Sequence, residues 1–341
     1  MTTFYKFMIT KKITDESPVG DLARDMKADL TWPRTCKYIY DKNFLLNYLR
    51  RSGACSQALD AFEEAWDEYD KFRAIQVNQG DGLMNLTNEN YFSSEAMSSY
   101  WSVSQFKSFA KCEACGLAEV QGKYQREETD ALLIGSYVDA FFSGEMDSFK
   151  ERNGEKMFKK NGEVLAKFVH ANDMIERVLL DPTLMDFLTG EKQVIMSADL
   201  FGVPWKIKMD VYDERRIVDL KCVKDFDDIY DPGYGWRSWV EYWGYDIQGA
   251  IYQKIEQLVS GRKKPLPFYI VAVTKEKVPD IKLLQIPQHI LDAALKLVEA
   301  KIDRFDLIKQ GEVEPIRCGH CDYCKMTKKI IAPEIYEIKE A

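Results

Sequence analysis

The sequence predicts two units: a small all-helical bundle over residues 1–72 and a larger α/β or α+β domain over residues 91–341, with a linker over 73–90. Three observations support this. Apolar residues recur at helical spacing as far as Phe72. A polar, Asn- and Gly-rich stretch from Val77 to Asn90 shows no periodicity. Helical and strand-like patterns then alternate to about Gln310, as in a domain that layers helices on a sheet.

In the first unit the apolar segments are Phe4-Tyr5-Lys6-Phe7-Met8, Leu22-Ala23 and Phe44-Leu45-Leu46-Asn47-Tyr48-Leu49. From Ser56 to Phe72, Leu59, Phe62, Ala65, Trp66 and Tyr69 share one helical face, and Pro33 and Gly53 punctuate the segments. The aromatic stripe reads as a small core, not as a cofactor site. Phe4-Tyr5 with Phe7, Gly20-Asp21-Leu22-Ala23, Trp32-Pro33, Tyr48-Leu49, and Phe62-Glu63-Glu64-Ala65-Trp66 with Tyr69 resemble the YozE-type SAM-like domain. That resemblance implies a helical bundle and no particular chemistry.

The composition, 46% hydrophobic and 30% charged, is that of a soluble globular protein. No apolar run is long enough to span a bilayer, and Met1-Thr2-Thr3-Phe4-Tyr5-Lys6 lacks the apolar core of a signal peptide. The expectation is a cytoplasmic chain with no membrane partner. In that compartment its eight cysteines read as thiols or metal ligands. A net charge of −8 argues against a broad basic surface, though a local cationic channel could still carry phosphate contacts.

The stretch from Lys206 to Lys221 reads as two strands around the polar turn Asp213–Arg216. Folded there, Tyr212 faces Ile217 and Asp210 faces Asp219, while Lys221 projects from the face of Asp219. Like charges placed opposite one another destabilise a hairpin unless a cation sits between them. An oxygen-rich acidic site suits Mg²⁺ or Mn²⁺, the ions of phosphate-ester chemistry. The plain alternative is a solvated charged edge.

Two helices flank this hairpin in sequence. Ala131 to Phe142 is apolar except for Asp139, a carboxylate that is costly to bury unless paired or metal-bound, and Gly135 one turn earlier could admit a phosphate. Tyr242 to Tyr252 reads as a helix with Gln248 and Tyr252 on one face, placed to hold a DNA phosphate or orient the lysine. Ser102 or Ser104 is a candidate N-cap for a helix through Ala118.

The order of these elements resembles the RecB-like branch of PD-(D/E)XK nucleases. Residues from about Asn90 to Pro333 look more closely like the phage RecE-like, exodeoxyribonuclease VIII family. The stretches that carry the likeness are Asn90-Tyr91-Phe92-Ser93, Ser102 to Lys107, Leu133 to Asp139, the hairpin, Gln248 to Tyr252, and Arg317 to Cys324. The resemblance implies a restriction-endonuclease-like core, a mixed central sheet flanked by helices. Asp139, Asp210 and Asp219, with the Leu220 carbonyl, would hold Mg²⁺ or Mn²⁺. Lys221 would orient or deprotonate the attacking water, and Gln248 and Tyr252 would position the lysine or the strand. Many RecB-like nucleases carry His where this chain has Asp139, which still suits a hard cation.

The family also implies 5′ to 3′ exonuclease action on double-stranded DNA ends, a single-strand-annealing recombinase as partner and, if the chain is phage-encoded, the host cytoplasm as its compartment; a homo-oligomer is left open by the sequence. A non-catalytic DNA-binding or scaffold protein, and an endonuclease on the same core, remain alternatives.

Cys318, Cys321 and Cys324 form a Cys-x-x-Cys-x-x-Cys run that needs a fourth ligand. Cys112 is the first candidate, with Cys115 and His320 behind it. The run resembles the ferredoxin-type triplet, which implies a 4Fe–4S cluster. Zn²⁺ is the rival, since paired Cys-x-x-Cys knuckles make tetrahedral sites, and free thiols are the plain alternative. Cys36, Cys55 and Cys222 read as small core residues.

Overall fold

The computed structural model describes residues 3–33, 42–78, 84–330 and 332. The chain opens with a short helix, Phe4–Phe7, that runs into a π turn, Met8–Lys12. Helices Pro18–Ala28, Lys42–Arg51 and Ser56–Asn78 follow. Ser17 caps the first of these by accepting from the Gly20 N–H, and Pro18 stands at its first turn. Gly20 is needed there, because a Cβ would lie 1.9 Å from the Asp15 carbonyl oxygen. The core is aromatic: the Phe4 ring lies 5.0 Å from Phe62 and 4.8 Å from Trp66. Phe62, Ala65, Trp66 and Tyr69 are buried as their spacing predicts, and Leu59 packs at the margin.

The last helix runs past Phe72 to Asn78, so the stretch expected as linker begins as helix. Arg73 to Asn78 holds no glycine or proline to stop it. Residues 79–83 of that stretch, Cys36 and Pro333 lie outside the described residues.

The second unit is built on a five-stranded mixed sheet. Its strands are β1 (Glu191–Leu200), β2 (Val203–Asp213), β3 (Arg216–Val223), β6 (Phe268–Thr274) and β7 (Ile281–Gln285), in the order β1-β2-β3-β6-β7. A small hairpin, β4 (Ile229–Asp231) with β5 (Gly235–Arg237), lies in the crossover between β3 and β6. β3 and β6 are parallel, and the other neighbours are antiparallel. Phe201 and Gly202, both at positive φ, make the two-residue turn from β1 to β2.

Alternate residues of the sheet feed two cores. On one face Trp205, Ile207, Phe268, Ile270 and Ala272 pack against side chains of the Val103–Lys111, Tyr245–Ser260 and Gln288–Lys309 helices. On the other, Val211, Val218, Leu220, Val271 and Val273 meet the Asp130–Ser143 and Ala166–Leu179 helices. Both faces are covered, which gives the expected mixed sheet flanked by helices.

Two expected helices are each broken. The one capped by Ser102 ends at Lys111, turns at Cys112 (φ −163°, ψ 110°) and resumes as Glu113–Val120. Gly116 lets the second piece pack on the first, since a Cβ there would lie 2.5 Å from the Phe109 ring. The helix expected across Tyr242–Tyr252 is likewise split: Trp239–Tyr242 ends at Trp243, Gly244 adopts φ +63°, and the long helix starts at Tyr245. The first break aims Cys112 and the second exposes Trp243.

Buried polar contacts lock the long helix to β2. Glu256, fully buried, accepts from the Tyr212 hydroxyl over 3.0 Å and from Arg262 Nε over 2.8 Å. A cavity of about 50 Å³ lies where Thr3 and Tyr5 of the bundle approach Phe201, Asp303 and Asp306. That is the far end of β2 from Asp210, roughly 23 Å away at ~3.3 Å per residue. No helix among the described residues is long and apolar enough to cross a membrane.

Candidate active site

The β2–β3 turn sets the register. Asp213 Oδ1 accepts from the N–H groups of Arg215 (2.7 Å) and Arg216 (3.0 Å), fixing a two-residue turn. The ladder pairs Tyr212 with Ile217 and Val211 with Val218, as the sequence predicts. It ends there. Where Asp210 would face Asp219, the strands part and the Leu220 N–H donates to Asp210 Oδ2 over 2.9 Å. The acids are therefore neighbours without sharing a ladder rung.

Asp219, 1% exposed, is the centre of the site. Its Oδ1 accepts from Gln248 Nε2 over 2.8 Å. Its Oδ2 has the Lys221 ammonium at 2.5 Å, but no hydrogen bond of ordinary geometry reaches that oxygen. Gln248 thus holds the acid, not the lysine. Tyr252 does not touch Lys221 either: its hydroxyl donates to the Lys208 carbonyl over 2.9 Å and fixes β2 two residues before Asp210.

The electrostatics follow from burial and crowding. Burial, then the Asp219 charge, pushes the Asp210 carboxyl well above the usual range. Burial also raises Asp139, while Lys221 and Lys208 partly offset it. For Lys221 burial works toward neutrality, but Asp219 and Asp210 outweigh it and hold the amine as ammonium. Without a metal in place, the amine is therefore held in its protonated form between the two acids. At Gly135 a Cβ would sit at ordinary contact, 3.8 Å from Cys222 Cβ, so no neighbouring backbone or side chain requires the glycine.

The donor set suits a hard divalent cation. Asp139, Asp210 and Asp219 offer carboxylate oxygens, although these do not all come within 4.8 Å of one another, and the buried Asp219 Oδ2 has the Lys221 ammonium beside it in place of a hydrogen bond of ordinary geometry. The Leu220 carbonyl is the backbone oxygen between the two β3 residues of the site. Bound there, the cation would polarise a phosphate ester and acidify water.

Sequence reasoning missed the cations that interact with the acids: Lys192 on β1, Lys208 on β2 and Lys107 on the helix before Cys112. A signal was present for Lys208. Lys206-Ile207-Lys208-Met209-Asp210 alternates with period two, which puts both amines on the side of Asp210.

The second constellation is a thiol cluster. The Sγ atoms of Cys112, Cys318, Cys321 and Cys324 lie within 4.8 Å of one another. Cys112 is 3.6 Å from Cys324, and Cys318 is 3.9 Å from Cys324. Cys318 Sγ accepts from the Cys321 N–H (3.3 Å) and Cys321 Sγ from the Cys324 N–H (3.4 Å), so each Cys-x-x-Cys step is a knuckle. Burial works to raise the Cys318 thiol, but backbone donors at Cys321 and His320 bring it down to about 6.

Glu113 ties the tail down beside this cluster. It forms a two-pronged pair with Arg304 (2.8 and 2.9 Å) and accepts from the Ile316 N–H. Cys115 instead contacts Glu119, and His320 turns to the Cys318 carbonyl, so neither joins the cluster. Cys55 is exposed and Cys222 half-buried, so Cys55 is no core residue.

A tetrahedral ion with metal–sulfur bonds of about 2.3 Å sets its sulfurs about 3.8 Å apart. A 4Fe–4S cube places each thiolate on a different iron, so its sulfurs must stand farther apart than those on one ion. The observed 3.6 and 3.9 Å pairs have the single-ion spacing.

Comparison with known proteins agrees with both units. Residues 3–71 match the YozE SAM-like fold, and residues 102–327 match the PDDEXK-like domain of unknown function DUF3799. The chain is similar to a crystal structure described as a "putative exonuclease" from Eubacterium rectale. The identity is 42%, the TM-score 0.70, and the match covers 74% of this chain and 97% of that one. None of the curated proteins compared with the chain matches it. With the acids and lysine gathered at the parting of two strands of a mixed sheet, the chain belongs to the PDDEXK-like DUF3799 family of PD-(D/E)XK nucleases and carries an N-terminal YozE SAM-like domain.

Proposed function

We propose that the protein is a Mg²⁺-dependent exonuclease that hydrolyses phosphodiesters from the ends of linear duplex DNA. The observation that carries this reading is the buried Asp219, held by Gln248 on one oxygen and facing Lys221 on the other, beside Asp210. A scaffold protein would have no use for a buried carboxylate pair that raises its own proton affinity. Asp139, Asp210, Asp219 and the Leu220 carbonyl hold the cation, with Mn²⁺ as a substitute. Lys221 orients the attacking water and offsets charge on the phosphate. Gln248 and Tyr252 are positioning residues, acting on Asp219 and on β2.

The choice of exonuclease action is supported by the name of the Eubacterium rectale relative. The 5′ to 3′ direction, a single-strand-annealing recombinase as partner and a phage recombination context rest on the RecE-like resemblance. Digestion of an end-labelled linear duplex beside a closed circle, with Mg²⁺ or EDTA, tests the reading. Loss of the linear species alone, with Mg²⁺ alone, is expected. Cutting of the circle would mark an endonuclease.

For the thiol cluster the sulfur spacing and the two N–H···S knuckles support one Zn²⁺ in place of the 4Fe–4S cluster that the ferredoxin-type triplet implies. The ion would be structural, joining the turn at Cys112 to the tail. Metal analysis of freshly purified protein should return one zinc and no iron; iron with sulfide would restore the cluster.

A further inference from the structure

Two exposed aromatic rings flank the acids, and each is mounted in the same way. Phe92, 69% exposed, stands on the side of β2, and Trp243, 44% exposed, precedes the helix that carries Gln248. A lysine fixes the backbone at each. Lys206, 1% exposed, donates to the Tyr91 carbonyl and lies 4.5 Å from the Tyr91 ring. Lys107 donates to the Trp243 carbonyl over 3.0 Å. A second lysine then lies over each exposed ring: Lys208 is 5.6 Å from Phe92 and Lys111 is 5.2 Å from Trp243.

Both mounts are continuous with the site. Lys208 is two residues from Asp210 on β2, and its carbonyl is the one held by Tyr252. On the other side the Tyr245 ring lies between Lys107 at 5.4 Å and Lys221 at 5.3 Å. Burying a lysine is costly unless its ammonium is used, and Lys206 is used to hold the carbonyl and ring of Tyr91, next to Phe92. Phe92 meets Tyr91 edge-on and Trp243 meets Tyr242 edge-on, each at 5.0 Å, so both exposed rings are propped by a neighbouring ring.

We propose that these two lysine–aromatic pairs bind unpaired nucleotides on either side of the acids, a base stacking on Phe92 or Trp243 and the adjoining phosphate taken by Lys208 or Lys111. This rests on the nuclease reading and names its substrate form: a strand already separated at the duplex end. A ring can stack on any base, but only on one that has left the duplex. The base displaces the lysine from the ring face, and the ammonium exchanges a cation–π contact for a phosphate. With a net charge of −8 over the chain, such local pairs are the means by which it holds a polyanion.

The test is fluorescence anisotropy in buffer without Mg²⁺ and without chelator, where nothing is cut. The probes are a short thymidine oligonucleotide, an abasic strand of equal length, and a blunt duplex. The wild type should prefer the thymidine strand to the abasic one by roughly tenfold or more, the effect of base–aromatic stacking. The Phe92→Ala, Trp243→Ala double variant should lose that preference, and Phe92→Tyr with Trp243→Phe should restore it. Lys111→Ala and Lys208→Ala should each flatten the salt dependence by about 0.7 in log–log slope.

Equal binding of both strands by the wild type, or a preference that survives in the double alanine variant, would overturn the proposal. Tightest binding to the blunt duplex would do the same, in favour of phosphate contacts alone. Because binding is read without hydrolysis, a protein that shows the base preference but never cuts with Mg²⁺ would sink the nuclease reading and leave the strand-binding surface standing.

Discussion

Gln248 Nε2 donates to Asp219 Oδ1 over 2.8 Å, joining the long helix to β3 across 29 residues of sequence. The contact fixes the plane of the Asp219 carboxylate and turns its second oxygen toward Lys221. Removing a partner of a metal-binding carboxylate costs roughly 10–100-fold in metal affinity or activity. Gln248→Ala should therefore raise the Mg²⁺ concentration needed for half-maximal cleavage by that order. A titration curve matching the wild type would show that Gln248 does not position the acid.

Asp210 and Asp219 should respond oppositely to neutralisation in the absence of metal. Asp210→Asn removes a carboxyl raised by burial and by Asp219, so its melting temperature in Mg²⁺-free buffer should rise by a few degrees, at ~2–4 °C per kcal/mol. Asp219→Asn leaves the Lys221 ammonium without its closest counter-charge, so its melting temperature should fall. Both variants should be inactive. Thermal melts that move the same way for the two would contradict the geometry.

Much of this site was legible in the sequence, and what was not has a physical cause. Period-two alternation and a polar turn set the Tyr212–Ile217 register, and three clustered cysteines called for a fourth ligand. The parting of β2 and β3 at Asp210 was not legible, because it depends on a side chain taking the Leu220 N–H. The helix breaks at Cys112 and Trp243 were missed because neither carries a proline, although Gly244, at φ +63°, marks the second. The break at Cys112 depends on packing of Gly116 against Phe109. The role of Lys206 depends on a carbonyl 115 residues away, beyond any local pattern.

Cys112→Ser should lose the bound ion. A metal held only by the folded state adds its binding free energy to folding, so the variant should melt well below the wild type. The wild type treated with a strong chelator should fall to about the same temperature. Cleavage at low temperature should persist, because the thiols are separate from the Asp219 face. A variant that keeps one equivalent of zinc would return Cys112 to the role of a buried thiol.

Asp303 gives a pH dependence far from the acids. Burial, with the charges of Asp306 and Glu299, raises it from 3.8 to about 6. Its folded-state pKa lies above the unfolded value, so the stability it confers is full below about pH 4 and is lost as pH rises through about 6. Asp303→Asn should therefore melt higher than the wild type at pH 8, with the difference shrinking toward pH 4. An equal difference at both pH values would show that Asp303 ionises freely.

The central claim is that the Asp219–Lys221 face hydrolyses DNA with a divalent cation. The direct measurement is the rate at which wild type and Lys221→Ala degrade an end-labelled linear duplex, with Mg²⁺ and with EDTA. The wild type should release short products with Mg²⁺ only. Lys221→Ala should be slower by roughly 100- to 1,000-fold, the effect of removing one charge-stabilising donor, while keeping its fold and its DNA affinity. Cleavage by Lys221→Ala at the wild-type rate, or cleavage by the wild type in EDTA, would contradict the account.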